Sequence, residues 1–454
     1  MNTFISLRKS AWAVLLGAVL AGTAACSNFE ELLDVKNPTE IDESLLQDET
    51  LVKVLVAGVQ GDFAAMLAER FIWRGSMITD DQVSGINWEG TARLSQRLVR
   101  YDEGDADIIF RQISRARMQG DSVSQRLKNG LSKSPTNDVN LATTLTYAGY
   151  TYIIMADAMC EATVDVGSKI YTPLELYDIA VTRFNEALPI ATAANNASLI
   201  NWINVGLSRA YLNLNKKPEA MAAAAKVPAN YWRWIEYKSS DTRLYNFLAD
   251  QTTGANHNIG IHPNFIAGGK ATFGTNQKTY LTDPRVQHDE MWSLGHNVGT
   301  PLYKPRQGLM FSEYNGQTIA SGGAPKAYSR DMDIAIGSYV EAMHNYYEAA
   351  GPTGTGPLGT TLEFVNARRT VGKQAPVTLS GAELMAELRT QRAKDLFMAG
   401  YRLGDLRRWL RQGTGNFFPT GTHAYTLWTY GDATCFPIPK QEYEGNPNIT
   451  NPNK

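Results

Sequence analysis

The chain has 454 residues, 43% hydrophobic and 19% charged, with 43 Lys and Arg against 45 Asp and Glu and a formal net charge of -2. That is ample apolar material for a large folded core, and it excludes a disordered polyelectrolyte. Without a basic field, nucleic acid and anionic membrane surfaces are poor candidates for main partners.

The first 26 residues read as an export segment. Arg8 and Lys9 form a positive start, and Ala11 to Ala21 an apolar stretch too short to span a bilayer comfortably. Thr23-Ala-Ala-Cys26 is a small-residue cleavage site ending in cysteine. Removal of residues 1–25 would leave Cys26 as the first residue, where acylation would anchor the chain, each buried methylene contributing roughly 0.8 kcal/mol. No other run reads as a transmembrane helix.

Asn28 to Asp48 is a tether with a turn at Asn37-Pro38. From Leu51 to Arg70 the residues Leu51, Val54, Leu55, Val59, Phe63, Met66 and Leu67 keep helical period. Phe71 to Tyr101 is less regular and holds Trp73, Asp80, Asp81 and Trp88; Ile108 to Leu127 is helical again. In the middle, Leu145, Gly149 and Tyr152 followed by Ala180, Phe184 and Ala187 have the small-large-small spacing of a tetratricopeptide hairpin. Leu207, Ser208, Tyr211, Ala220 and Ala224 give a second unit, and Asp157 to Pro173 is an insertion between the helices of the first. Small residues at these positions let paired helices approach closely, and each pair buries its stripe only against the next.

From Lys226 to Arg330 the helical period disappears under Gly, Pro, Asn, Thr and aromatics, as in Tyr231-Trp-Arg-Trp234, Asn256-His-Asn-Ile-Gly260 and Thr300-Pro-Leu-Tyr-Lys-Pro305. So long a stretch implies a folded irregular layer with short strands rather than one loop. Asp331 to Ala350 is expected to be helical, with Ile334, Ile336, Tyr339, Val340, Met343 and Tyr347 buried; Gly351 to Gly359 is a flexible turn. Leu384, Leu388 and Leu396, flanked by Met385 and Phe397, predict a helix starting after Ser380 and stopped by Gly400, then a short helix from Leu403 to Leu410. The tail after Trp409 runs out through Phe417-Phe-Pro419 and cannot be helical at Pro437 or Pro439.

Between those last helices lie Arg389, Arg392, Asp395, Arg402, Asp405, Arg407 and Arg408. Arg392 and Asp395 are i,i+3 neighbours, and Arg402 or Arg407 could reach an acid across the bend with a bidentate fork. The reading is an ion-pair clamp holding two helices at a fixed angle, with an anion or substrate site as the alternative. Cys160 and Cys435 could pair in an oxidising compartment, but lone cysteines are more often buried hydrophobes, and that reading is taken here. Six scattered histidines give no ligand spacing, so neither metal nor cofactor is expected.

The run from Arg389 to Trp409, Arg-x-x-Arg-x-x-Asp-Leu-Phe-x-x-Gly-x-Arg-x-x-Asp-Leu-Arg-Arg-Trp, resembles the C-terminal signature of the SusD/RagB family of outer-membrane nutrient-binding lipoproteins. That signature is usually written Glu-Arg-Arg-x-Glu-Leu-x-x-Glu-Gly-x-Arg-x-x-Asp-Leu-x-Arg-Trp. Gln391 stands for its first Glu, Asp395 for the second and Ala399 for the third, which suggests a diverged branch. Phe436-Pro-Ile-Pro439 with Glu442 and Asn446-Pro-Asn448 is similar to the family's closing segment, and the start at Cys26 is similar too.

The resemblance implies a mainly α fold: a right-handed tetratricopeptide-like scaffold, here about residues 50–226 and 331–410, covered by an irregular, loop-rich layer at about 227–330, with an extended tail at 411–454. It implies a lipid-anchored protein of the outer membrane, at the cell surface, that hands an oligosaccharide or peptide to a SusC-type TonB-dependent transporter by closing over it. Arg389, Arg392, Asp395, Arg402, Asp405, Arg408 and Trp409 would then belong to the scaffold rather than to the ligand site. No nucleophile elbow, Walker loop, Rossmann fingerprint or zinc motif occurs, and adjacent Asp80 and Asp81 are ill-placed for glycosidase work, so no enzymatic activity is expected. Sugars suit aromatic platforms set among polar side chains. Trp73, Trp88, Trp232, Trp234 and Trp292, with Asp80 and Asp81, are the candidate ligand residues; Trp202 and Trp409 are packing residues. A scaffold for a protein partner and a secreted hydrolase are the other readings.

Overall fold

A computed structural model describes residues 49–84, 89–253, 259–265, 279–280, 283–286, 288–291, 302–305, 329–423 and 428–451. Cys26, Trp88 and Trp292 lie outside the described residues. Helix α1 (Val52–Ala65) continues through a π-helical stretch, Met66–Ile72, into α2 (Trp73–Met77). The helix therefore outlasts the expected end at Arg70, because Phe71, Ile72, Trp73 and Met77 prolong its buried face. Val54, assigned to that face, is instead 56% exposed. By length and apolarity the helical run Glu49–Met77 matches a membrane span, unlike the expectation for it. Its apolar residues Phe63, Met66 and Leu67 are taken up by the core.

Strand β1 (Gln82–Ser84) and helix α3 (Glu89–Ser95) lead to α4 (Gly104–Arg126), which packs on α5 (Val139–Ala158). Helix α5 is buried on nearly every side and is the central helix of the core. Asp138 caps it by accepting from Asn140 N at 2.8 Å. Helix α6 (Pro173–Ala193) starts with a capping box between Thr172 and Glu175, and α7 (Ala197–Asn213) and α8 (Lys217–Ala224) follow. The expected hairpins are α5 with α6 and α7 with α8. Their close approach is made by Phe184, whose ring lies between Gly149 and Gly206. A Cβ on either glycine would meet that ring at 2.6 or 2.5 Å.

The insertion after α5 is tied to the tail. Cys160 N donates to Phe436 O at 2.8 Å and Phe436 N to Ala158 O at 2.9 Å. This pairing brings Cys160 beside Cys435, and the two form a disulfide with Cα atoms 5.0 Å apart. The reading of two separate buried thiols is thus corrected; 275 positions separate the partners, and no local pattern links them.

Strand β2 (Trp232–Ile235) opens the irregular layer, followed by α9 (Phe247–Thr253), β3 (Ile259–Ile261), β4 (Thr279–Tyr280), β5 (His288–Met291) and β6 (Leu302–Pro305). Next come β7 (Ile334–Ser338) and α10 (Tyr339–Ala350). All strand pairs among the described residues are antiparallel: β1 with β3, β4 with β5, β5 with β6, and β2 with β7 across a bulge between Arg233 and Trp234. The helix expected from Asp331 begins only at Tyr339. Ile334 and Ile336 are buried in a strand instead, where β-branched residues pack well, and Ser338 caps the helix by accepting from Glu341 N at 3.1 Å. Arg209 on α7 reaches Glu341 through Nε at 2.5 Å and Nη2 at 2.8 Å, fastening α10 to the hairpins.

Strands β8 (Thr355–Gly356) and β9 (Gly359–Thr360) fold the expected turn into a hairpin ahead of α11 (Thr361–Val371). Helices α12 (Gly381–Asp395), α13 (Arg402–Arg411) and α14 (Lys440–Gly445) complete the chain. Ser380 holds the N-cap position of α12 without a side-chain bond. The helix stops at Asp395 rather than Gly400, since Met398 already adopts φ +56° in the turn. Gly400, at φ +88°, is required there as well: a Cβ would lie 2.9 Å from Ile72 Cγ1.

Candidate ligand-binding site

The charged cluster of α12 and α13 is a network, though with partners other than the local ones expected. Arg392 does not pair with Asp395; its Nε donates to Asp405 Oδ2 at 2.6 Å, across the bend. Arg408 holds the other oxygen of Asp405 at 2.8 Å and forks onto Glu348 of α10 at 3.0 and 2.9 Å, beside the Trp409 indole N–H at 2.8 Å. Burial alone would raise the Asp405 carboxyl, but Arg392 and Arg408 outweigh it and bring it down to about 2. Asp395 is claimed by Arg368 at 2.7 and 2.8 Å, Arg285 at 3.1 Å and His344 at 2.7 Å, and these likewise overcome desolvation to hold it far below the usual carboxylate range.

Arg402 makes the predicted fork, but onto Asp80 at 2.5 and 2.8 Å rather than across the bend. Arg407 donates instead to the Ala156 and Asp157 carbonyls, each at 2.7 Å. The clamp therefore joins α12 and α13 to the segments that hold Asp80, Ala156, Arg285, Glu348 and Arg368, which spacing alone cannot reveal.

Several candidate ligand residues are consumed by this framework. Trp73 is buried on α2, edge-on to Phe247 at 5.7 Å, and not an exposed platform. Asp80 is buried in its ion pair. Asp81 is buried as well, its Oδ1 without a hydrogen-bond partner and its carboxyl pushed well up by desolvation. Trp202 is a core residue as expected, stacked on Tyr150 at 4.8 Å.

Among the described residues, two open hollows carry candidate ligand groups. The first, of about 380 Å³, is lined by Trp234, Arg233, Glu236, Gln60 and Tyr147. Trp234 is half-buried and stacks on Trp232 with ring centroids 5.2 Å apart and planes 11° apart. The pair shares a face because the two residues are i,i+2 on β2. The Arg233 guanidinium lies over Trp202 at 4.8 Å, with its Nε buried and unpaired. The hollow so offers an aromatic wall with a cation, an acid, an amide and a phenol, the mixture that suits a polyhydroxylated ligand.

The second hollow, of about 280 Å³, lies against α12 and α13, with Arg389, Lys394, Arg402 and Asp80 beside Trp409 and Phe417. Trp409 is buried and bonded, so it packs as expected while one part of it forms wall.

Neither a family model nor a curated protein sequence matches this chain. Solved structures do match. A SusD superfamily protein from Bacteroides vulgatus ATCC 8482 superposes with a TM-score of 0.62 at 14% identity, covering 89% of this chain and 98% of that one. A SusD superfamily protein from Parabacteroides distasonis ATCC 8503 gives 0.61 at 13% identity, over 91% and 100%. A SusD-like carbohydrate binding protein from Bacteroides fragilis NCTC 9343 gives 0.60 at 14% identity, over 90% and 100%. The chain has the SusD-like fold.

Within this SusD-like fold, the residues that sequence reasoning missed are Gln60, Tyr147, Arg233 and Glu236 around Trp234, and Asn264, Phe265 and Phe417 around the second hollow. Glu236, two residues beyond Trp234, could have been added on strand alternation; Arg233 falls on the opposite face by that rule and could not. Tyr147 and Gln60 sit on helices whose apolar period hid them. Arg389, Arg402 and Trp409 were assigned to the scaffold, yet they also wall an open hollow of this SusD-like body.

Proposed function

We propose that this protein captures an oligomeric nutrient, a glycan, without altering it. On this reading it is held at the outer membrane by acylated Cys26 and passes its ligand to a SusC-type TonB-dependent transporter, closing over it by differential affinity rather than bond making. The observation that carries the proposal is the half-buried Trp234, backed by Trp232, on the wall of a polar hollow in a SusD-like scaffold. The acids best placed in the sequence for hydrolysis lend no support to the hydrolase alternative, because Asp80 is bound to Arg402 and Asp81 is buried behind it.

Calorimetry of the mature chain against a panel of neutral oligosaccharides and peptides, with product analysis of each mixture, tests the reading. Glycan binding without products is expected, weakened about tenfold, ~1.4 kcal/mol, by Trp234→Ala. Binding of peptides alone would overturn the glycan assignment. Release of shortened sugars would overturn the non-catalytic one. The delivery role is checked by detergent extraction of native membranes, from which an outer-membrane barrel is expected to co-purify.

A further inference from the structure

Arg389 and Arg392 lie three residues apart on α12 and have opposite fates. Arg392 is buried and fully engaged, with Asp405 at 2.6 Å and the Asn345 amide oxygen at 2.9 Å. Arg389 is half-buried, its guanidinium over the Phe417 ring at 5.2 Å and the Trp409 ring at 5.8 Å, and among the described residues it forms no ion pair or hydrogen bond. The carboxylate felt most strongly by Arg389 is Glu348, which is already occupied by Arg408 and the Trp409 indole.

The neighbouring charges do not balance it. Arg402 is matched by Asp80, and Lys394 only leans towards Asp283 at 3.5 Å, an acid that Arg285 already holds at 2.8 Å. The walls of the hollow thus carry three cations against one carboxylate. Thr390 and Asn264 add neutral polar groups, and Phe265 an apolar one. At about 280 Å³ the hollow lies just below the usual small-molecule range of roughly 300–1,000 Å³, which admits one ring-sized group rather than a stretch of chain. A guanidinium fixed by aromatic faces, partly stripped of water, presents a planar fork suited to an oxyanion.

We infer that this hollow is an anion subsite, in which Arg389, assisted by Lys394, binds the carboxylate or sulfate of an acidic sugar ring. The inference rests on the glycan reading and narrows its substrate class. The mature chain is titrated with an oligogalacturonate, its carboxyl-reduced neutral counterpart and a sulfated galactan oligosaccharide. At least one acidic form is expected to bind about tenfold more tightly than the neutral one, with the advantage shrinking as salt is raised. Which acid gains more identifies the source of the anion. Arg389→Ala should erase the advantage, and Arg389→Lys should retain part of it; both should leave the melting temperature little changed.

Equal affinity for neutral and acidic forms, or an advantage that survives Arg389→Ala, overturns the anion subsite while neutral binding keeps the glycan reading intact. Absence of binding by every glycan removes the glycan reading and the subsite together. Acidic-peptide binding that depends on Arg389, without any acidic-sugar binding, overturns the sugar assignment.

Discussion

Two arginines one turn apart on helix α12 teach different lessons. Arg392 and, beside it, Asp395 are buried against opposite charges, and each charge is worth having only because its partner is there. Arg389, one turn earlier, rests on aromatic faces and among the described residues forms no ion pair. A charge that the fold has neutralised is structure; one that the fold supports but leaves unneutralised can recognise something else. The same composition, read along one helix, yields a lock and a receptor.

The largest effect should come from breaking the lock. Asp395→Ala strands Arg285, Arg368 and His344 around a buried hole and is expected to cost about 3–5 kcal/mol in urea unfolding. A loss under about 1 kcal/mol would mean that the network is ornamental. Removing the clasp between insertion and tail with Cys160→Ser and Cys435→Ser comes next, at about 2–4 kcal/mol, with no effect of reductant on the double variant.

Asp157 sharpens the comparison from the opposite side, because it is a buried acid whose surroundings fail to compensate it. Burial raises its carboxyl to about 6 despite the Tyr177 hydroxyl and nearby arginines. The native state therefore holds its proton more tightly than the unfolded chain does. The cost of ionisation is absent below about pH 3.8 and fully present above about pH 6. Asp157→Asn should be more stable than the parent by up to about 3 kcal/mol at pH 7.5 and no different at pH 3.5. A stability difference that is flat with pH would show that Asp157 is compensated after all. Smallest of all, Trp234→Ala and Arg389→Ala should change stability by less than about 1 kcal/mol, since both residues are partly solvent-facing. A larger loss in either would return that residue to the lock.

Much of the scaffold was legible in the sequence. The Gly149, Ala180, Phe184 and Ala187 spacing pointed to paired helices, and Phe184 wedged between two glycines is the physical reason that the spacing works. The stretch from Ile334 misled, because an apolar Ile-Ala-Ile run fits a short buried strand as well as the first turn of a helix. Only its pairing with β2 decides between them. Of the candidate ligand residues, Trp234 walls one hollow with Trp232 stacked behind it and Asp80 reaches the wall of the other, while Trp73 and Asp81 were drawn into the interior by neighbours far away in the chain.

Periodicity and spacing act over a few residues, so the sequence alone could determine the helical hairpins, the bend between α12 and α13, and the density of opposite charges there. Which charge meets which, which cysteines join, and whether a tryptophan faces core or solvent depend on contacts between segments tens to hundreds of positions apart. Those contacts were decided by packing, and packing also left Arg389 without an acid partner among the described residues.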